Sequence, residues 1–461
     1  ARIMDCCCKR DCDCDLCEIP TFVGDCFGGE LSSGDDSRRI YVTLGQFSII
    51  RLERETQLLM PVYDFDERIL PEKEKNIPYQ KEGQEPKLNY WGYGKARYFA
   101  PKSTYSVKDP VKEFKDLVKK FHAEGIEVLM EIFFPEGTEE RLIFDCLEHW
   151  VRDYHVDGFY LMGDDSMNRF LARDPMFVGT KLLSTWFDTD NIYERKKTPA
   201  FRNLAEHNDG FLVDARRFLK GDEDQLPAFT WRVRKNPAKC AVINYITHHD
   251  GFTLMDLVSY EERHNEANGE GGQDGPAYNF SWNCGVEGPS RKKKIQELRL
   301  QQMKNAFLLL LFSQGTPMIL AGDEFGNSQR GNNNPYCQDN ETSWLEWNGL
   351  KKQTELFEFV KAAIAFRKTH PLLHQAKELQ GTSGSVLGYP DVSCHGQQAW
   401  YGNFETISRH FGMMYCGEEG EYLYVAYNLH WKEQSFALPK LPEGLSWQLV
   451  FDTEDGASPE K

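Results

Sequence analysis

Four groups of residues in this 461-residue chain have side chains suited to chemistry. His249 and Asp250 end an apolar run and are followed by Gly251, and a His-Asp pair at such a strand end usually lines the mouth of a barrel. Asp164 and Asp165 follow the run ending at Met162, and Asp188 and Asp190 follow the run 181–187, so carboxylates reach two further strand ends. For each of these four a solvated loop carboxylate is the plainer alternative. Asn89, Tyr90, Trp91 and Tyr93 offer flat rings that can stack without ionising, or can simply pack a loop. Seven of the thirteen cysteines, Cys6, Cys7, Cys8, Cys12, Cys14, Cys17 and Cys26, precede residue 27. Their spacing matches no zinc template and no His lies near, so a disordered tail over 1–36 is the expectation. The other six, Cys146, Cys240, Cys284, Cys337, Cys394 and Cys416, are scattered singly and read as buried free thiols in a reducing compartment.

The elements that must position these groups alternate short β-like runs with amphipathic helices, the pattern of a parallel sheet wrapped by helices. Strands are expected at 40–44, 57–62, 126–134, 157–162, 181–187, 240–247 and 317–321, with an eighth near 210–214. Helices are expected at 111–124, 138–154, 208–220, 293–313 and 354–369. In the first of these Val111, Phe114, Leu117, Val118 and Phe121 share a face at spacings of 3 and 4. Only about a dozen residues separate 44 from 57, so the first helix is expected to be shortened. The runs 421–428 and 447–451 alternate in strand fashion. The expected architecture is an α/β chain: a (β/α)8 TIM barrel over 37–372 and a C-terminal antiparallel β-sandwich over 373–461.

Several segments resemble the isoamylase and bacterial glycogen-debranching group of the α-amylase superfamily, glycoside hydrolase family 13. They are Val156-Asp157-Gly158-Phe159-Tyr160-Leu161-Met162, Asn244 to Tyr260, His264 to Glu270, Gln314 to Glu324 and Gly331 to Asn340, with Asn89 to Tyr93 and Asn208 to Phe218 extending the likeness. The family cleaves α-1,6 glucosidic bonds with retention. That reaction needs two carboxyls about 5–5.5 Å apart, one as nucleophile and one as acid. The resemblance places Met162 at the nucleophile, Tyr160 at the Arg two residues before it, and Thr185 at the acid. Pro135 and Glu136 stand where the family has a substrate-orienting Asn and His, in the run that begins at Glu131. A thioether forms no glycosyl ester, and a hydroxyl is too weak an acid to protonate a leaving oxygen. His249 and Asp250 do match the family's sugar-binding His and transition-state carboxylate, and Tyr90, Trp91 and Tyr93 match the loop that floors its cleft.

The resemblance therefore implies an α-glucan-directed protein, hydrolytically inactive or strongly impaired, that binds glucan or serves an active debranching homologue. It implies no cofactor and no metal in the site. One alternative is a working α-1,6-glucosidase using relocated carboxylates, although an offset of two residues moves a side chain roughly 6–7 Å along a strand. A relic without glucan affinity is the other. The net charge of −17 and pI near 5.3 disfavour nucleic acid, whereas a neutral glucan is indifferent to charge. Ten Trp and twenty Tyr supply flat apolar faces, most of them explained by core packing. No apolar run of about 18 residues suggests a membrane span, and no apolar stretch near the start suggests a secretion signal, so a cytoplasmic location is expected.

Overall fold

The computed structural model describes residues 56–61, 89–91, 98–193, 197–199, 201–382, 388–417 and 420–454. The chain divides into two compact units, Ala1–Glu53 and Arg54–Lys461. The first lies wholly outside the described residues, as do the expected tail, the strand at 40–44 and the shortened helix after it.

The second unit is built on a parallel sheet of seven described strands in chain order: β1 (Thr56–Pro61), β2 (Ile126–Phe134), β3 (Gly158–Gly163), β4 (Lys181–Ser184), β5 (Leu204–His207), β6 (Ala241–Asn244) and β7 (Thr316–Pro317). Strict alternation sorts their side chains. Val128, Met130, Ile132 and Phe134 of β2, with Phe159 and Leu161 of β3, join a cluster containing Ile143, Leu147 and Trp150 of the helix Glu140–Tyr154. The residues between them turn inward: Leu129, Tyr160, Leu183, Ala205 and Ile243 form a separate interior cluster against which Met162 packs. Glu131 and His207 share the phase of Leu129 and Ala205, so they too belong to the interior face.

Most expected elements are present, with differences that have local causes. The helix Pro110–Ala123 starts where Pro110 needs no amide partner and Asp109 accepts from the Lys112 amide at 3.1 Å. It buries Phe114 and Val118, but Val111, in its first turn, is 43% exposed. The strand expected near 210–214 is instead part of the helix Asp209–Lys220, and the strand is Leu204–His207. The Asn208 side chain accepts from the Phe211 amide and starts the helix there, so no strand can follow. Strands 4, 6 and 7 are shorter than their apolar runs, because the residues beyond Ser184, Asn244 and Pro317 leave the ladder to build loops.

A C-terminal antiparallel β domain follows: β8 (Val392–His395), β9 (His410–Cys416) and β10 (Tyr422–Asn428), in the order β10-β9-β8. Phe411 and Tyr427 contact Phe218 and Phe229 of the barrel helices, and the Tyr415 hydroxyl donates to the Phe312 carbonyl at 2.8 Å. Among the described residues this sheet packs on helices. The segment 447–451 is not a strand: Phe451 wedges between Phe312, Phe359 and Phe366, and Trp447 donates to the Pro439 carbonyl.

Candidate functional site at the C-terminal end of the sheet

Loops at the C-terminal ends of the strands are where a barrel of this kind carries its chemistry. Here six aromatic or imidazole side chains gather near the buried carboxylate of Glu131. Glu131, 1% exposed, stands opposite Tyr160 in the β2–β3 register. Its Oε1 lies 3.5 Å from His249 Nε2. The His249 ring tilts against His248 at 4.0 Å between centroids and meets Trp91 edge-on at 4.8 Å. His207 stacks flat on Tyr160, 3.8 Å apart and within 8° of parallel, and meets His248 edge-on at 5.9 Å. Tyr245 packs against both His207 and His248, and its hydroxyl bonds the Asp209 carboxylate.

Burial dominates the electrostatics. It pushes His207 down to about 3 and His248 down to about 4; the repulsion that protonated His207 would meet from His248, and that His248 meets from the Arg216 guanidinium, adds to the effect. His249 is lowered for the same reason. The cluster therefore holds neutral imidazoles at neutral pH. Tyr160 is raised well above the ordinary phenol range by burial, and further by Glu131 and Asp209. Asp250 lies at the exposed rim, yet enough protein surrounds it for desolvation to raise its carboxyl above the usual range.

Met162 is half-buried against the interior cluster, opposite Phe133 in the β2–β3 register. Gly163 follows it with φ +86°, where a Cβ would stand 2.1 Å from the Phe134 carbonyl oxygen, so only glycine fits. Thr185 is exposed one residue past the end of β4. The rim carboxylates serve the loops. Asp164 accepts from the Gly137 and Ser166 amides at 3.0 and 2.9 Å, which lowers its pKa. Asp188 caps the turn Thr189–Ile192, Asp190 pairs with Lys239 at 2.9 Å, and Asp165 is exposed. Glu136 is exposed beside Pro135.

Of the aromatic loop, Trp91 meets the His cluster. Tyr90 lies under Lys102, whose Nζ is 5.3 Å from the ring centroid, and Tyr93 is outside the described residues. The Tyr90 and Trp91 amides both donate to the Tyr336 carbonyl, at 2.8 and 3.4 Å. Sequence reasoning missed His207, His248 and Glu131 as members of the site. The signal available was strand phase: Glu131 and His207 fall two residues after interior apolar positions.

The longest motifs are largely occupied by architecture. Asp323, fully buried, takes the Thr247 hydroxyl and the Leu254 amide, and Asp256 takes the Ser328 hydroxyl and the Gln329 amide. Arg216 donates to the Ile246 and Asn279 carbonyls at 2.6 and 2.9 Å, pinning the loop that leads to His248. Asn265, Asn268, Asn332, Asn333 and Asp274 form one amide network.

No protein-family model matches the chain. Isoamylase 3, chloroplastic, of Oryza sativa subsp. japonica is 31% identical over 506 residues, covering 93% of this chain and 62% of that protein. A glycogen operon protein GlgX homologue of Mycobacterium tuberculosis is 34% identical over 367 residues, covering 64% of this chain and 50% of its own length. The chain thus spans between half and about three-fifths of these two relatives. Among solved structures, a pullulanase from Paenibacillus barengoltzii has a TM-score of 0.59 at 19% identity, over 87% of this chain and 65% of that one. The catalytic module of SpuA, a glycogen-degrading pneumococcal virulence factor, has a TM-score of 0.60 at 17% identity, over 83% and 64%. These two support the fold alone. Sequence kinship to the named relatives and the shared barrel fold agree: the chain belongs to the isoamylase and glycogen-debranching group of the α-amylase superfamily.

Proposed function

We propose that this protein binds α-glucan at the barrel mouth without hydrolysing it, and acts in glycogen or starch metabolism as a binding or partner subunit beside an active debranching homologue. The observation that carries the reading is the interior position before Gly163. A thioether packed on an apolar cluster occupies the place that the family resemblance assigns to the nucleophile. Without a carboxylate there and with Thr185 at the acid position, the two-carboxyl route has neither of its groups. The nearby acids do not favour a substitute pair, since Asp164, Asp188 and Asp190 are each engaged in holding loops or ion pairs. Glucan affinity is supported by Trp91 against His249 and by Asp250 at the rim, groups that bind sugar without taking part in bond cleavage. A pullulanase of the same fold has been solved with maltohexaose and α-cyclodextrin.

Three measurements test this. Incubation with glycogen or pullulan should release no reducing ends, and turnover abolished by Asp250→Asn would overturn the inactive reading. Electrophoresis through a gel containing glycogen should retard the chain, and unretarded migration would leave a structural relic. Addition to an active debranching homologue should raise that enzyme's rate on glycogen. No change in that rate would refute the partner role.

A further inference from the structure

We infer that Glu131, His248 and His249 form a binding site for one divalent transition-metal ion of the zinc class, at the point in the barrel mouth where the hydrolytic groups are missing. One ligand atom from each residue lies within 4.8 Å of the other two. An ion held tetrahedrally by bonds of about 2.0–2.2 Å keeps its donors roughly 3.4 Å apart. The separation between His249 Nε2 and Glu131 Oε1, 3.5 Å, is already that of two ligands on one ion and longer than an ordinary hydrogen bond. Bringing a separation of up to 4.8 Å to that spacing takes a shift of up to about 1.4 Å, within reach of a rotation of the His248 side chain.

A second observation points to a ligand. Among the described residues, the Nε2 atoms of His248 and of His207 are buried without a hydrogen-bond partner. A buried polar nitrogen left unpaired is costly, and metal ligation of His248 would remove that cost for one of them. The donor set suits the ion. Two neutral imidazoles and one carboxylate bring a single negative charge to a dication, and nitrogen with oxygen donors favours zinc-class ions over magnesium or calcium. Three protein ligands leave a fourth tetrahedral position for water or an oxygen ligand. Trp91, edge-on to His249, fixes that ring's orientation, and His207, edge-on to His248, fences the other side. One contact is given up. His248 Nδ1 accepts from the Asp250 amide at 3.4 Å. Binding at Nδ1 takes that lone pair, and binding at Nε2 puts the proton on Nδ1. At 3.4 Å the contact is long and weak, so its loss is small beside a metal bond.

His249 is common to the metal site and to the proposed glucan-binding surface, but a metal titration reads the ion alone, so its failure is distinct from a failure of glucan binding. The site is tested on the full chain after metal removal, by titration with cobalt(II), whose spectrum reports its ligands. The cysteines before residue 27 also attract such ions, and a thiolate-to-cobalt charge-transfer band marks that binding. The expected result is one equivalent lacking the band, displaced by zinc, with affinity reduced about a hundredfold or more in His248→Gln and in His249→Gln. An unchanged equivalent in both variants overturns the proposal, as does a titration in which all bound cobalt shows the thiolate band. X-ray absorption of the zinc-loaded wild-type chain tests the same ligand set without depending on whether the variants fold. Two imidazoles with oxygen and no sulfur around the non-thiolate equivalent sustain the site, and any other shell refutes it.

Discussion

Replacing Asn333 by alanine should destabilise the wall of the mouth far more than its loop location suggests. The side chain is fully buried. Its amide donates to the Pro276 carbonyl at 2.8 Å and to Asn279 Oδ1 at 3.0 Å, while its own oxygen accepts from Asn265 at 2.8 Å. Truncation strands two acceptors away from water, and each costs about 1–3 kcal/mol. The Asn265 donor keeps the Asp274 carbonyl at 2.8 Å, so it adds little. A water entering the space would recover part of the loss. The expected net destabilisation is about 2–4 kcal/mol, against less than about 1 kcal/mol for Asn340→Ala, an exposed amide in the same stretch. Because the Tyr90 and Trp91 amides hang on the Tyr336 carbonyl three residues later, the loss should also loosen Trp91 against His249 and weaken glucan retention. Chemical denaturation followed by tryptophan fluorescence gives the global number. Hydrogen exchange at 264–274 and 331–338 gives the local one even when unfolding has several steps. A loss below about 1 kcal/mol, or exchange unchanged in both segments, would refute the reasoning that these motif residues are retained as architecture.

Burial raises the Asp323 carboxyl from its ordinary value to about 7. A folded pKa above the unfolded one stabilises the fold fully below about pH 4, and that contribution fades as pH rises through 7. Asp323→Asn should therefore flatten the fall of stability between about pH 4 and 7, by on the order of 4 kcal/mol at most; parallel curves would contradict this. Met162→Asp alone should release no reducing ends from pullulan, because the acid is still lacking, whereas Met162→Asp with Thr185→Glu should give detectable turnover. Hydrolysis by the single variant would mean that an acid stands elsewhere in the mouth. Trp91→Ala should weaken retention on a glycogen gel about tenfold, the loss of one stacking face. Trp431→Ala, removing a ring that is 75% exposed on the C-terminal domain, should leave retention unchanged.

The barrel was readable because its signals are local. The apolar run 126–134 and the 3-and-4 spacing of Val111, Phe114, Leu117, Val118 and Phe121 act over a few residues, so they survive without knowledge of the rest of the chain. The strand near 210–214 misread the same signals: it placed a ladder inside a run that Asn208 had already turned into a helix. The segment 447–451 alternates as a strand would, but Phe451 finds its partners in a pocket between helices. Alternation reports which side is buried, not what lies on that side.

The amino-acid sequence by itself determined the family, and it fixed which side chains, Met162 and Thr185 among them, stand where the resemblance aligns the family's nucleophile and acid, because that identity is written in the chain. It could not determine what fills the mouth instead. Glu131, His207 and His248–His249 are separated by at least 41 residues along the chain, and their meeting depends on strand register and on loops held by Arg216 and Asp323. Only the tertiary structure decided that the rim acids are occupied by loop amides and ion pairs. The same holds for Tyr90, which turns toward Lys102, and for the neutral imidazoles gathered around a buried carboxylate. Distance and burial, which set both pKa and coordination, are properties of the folded chain.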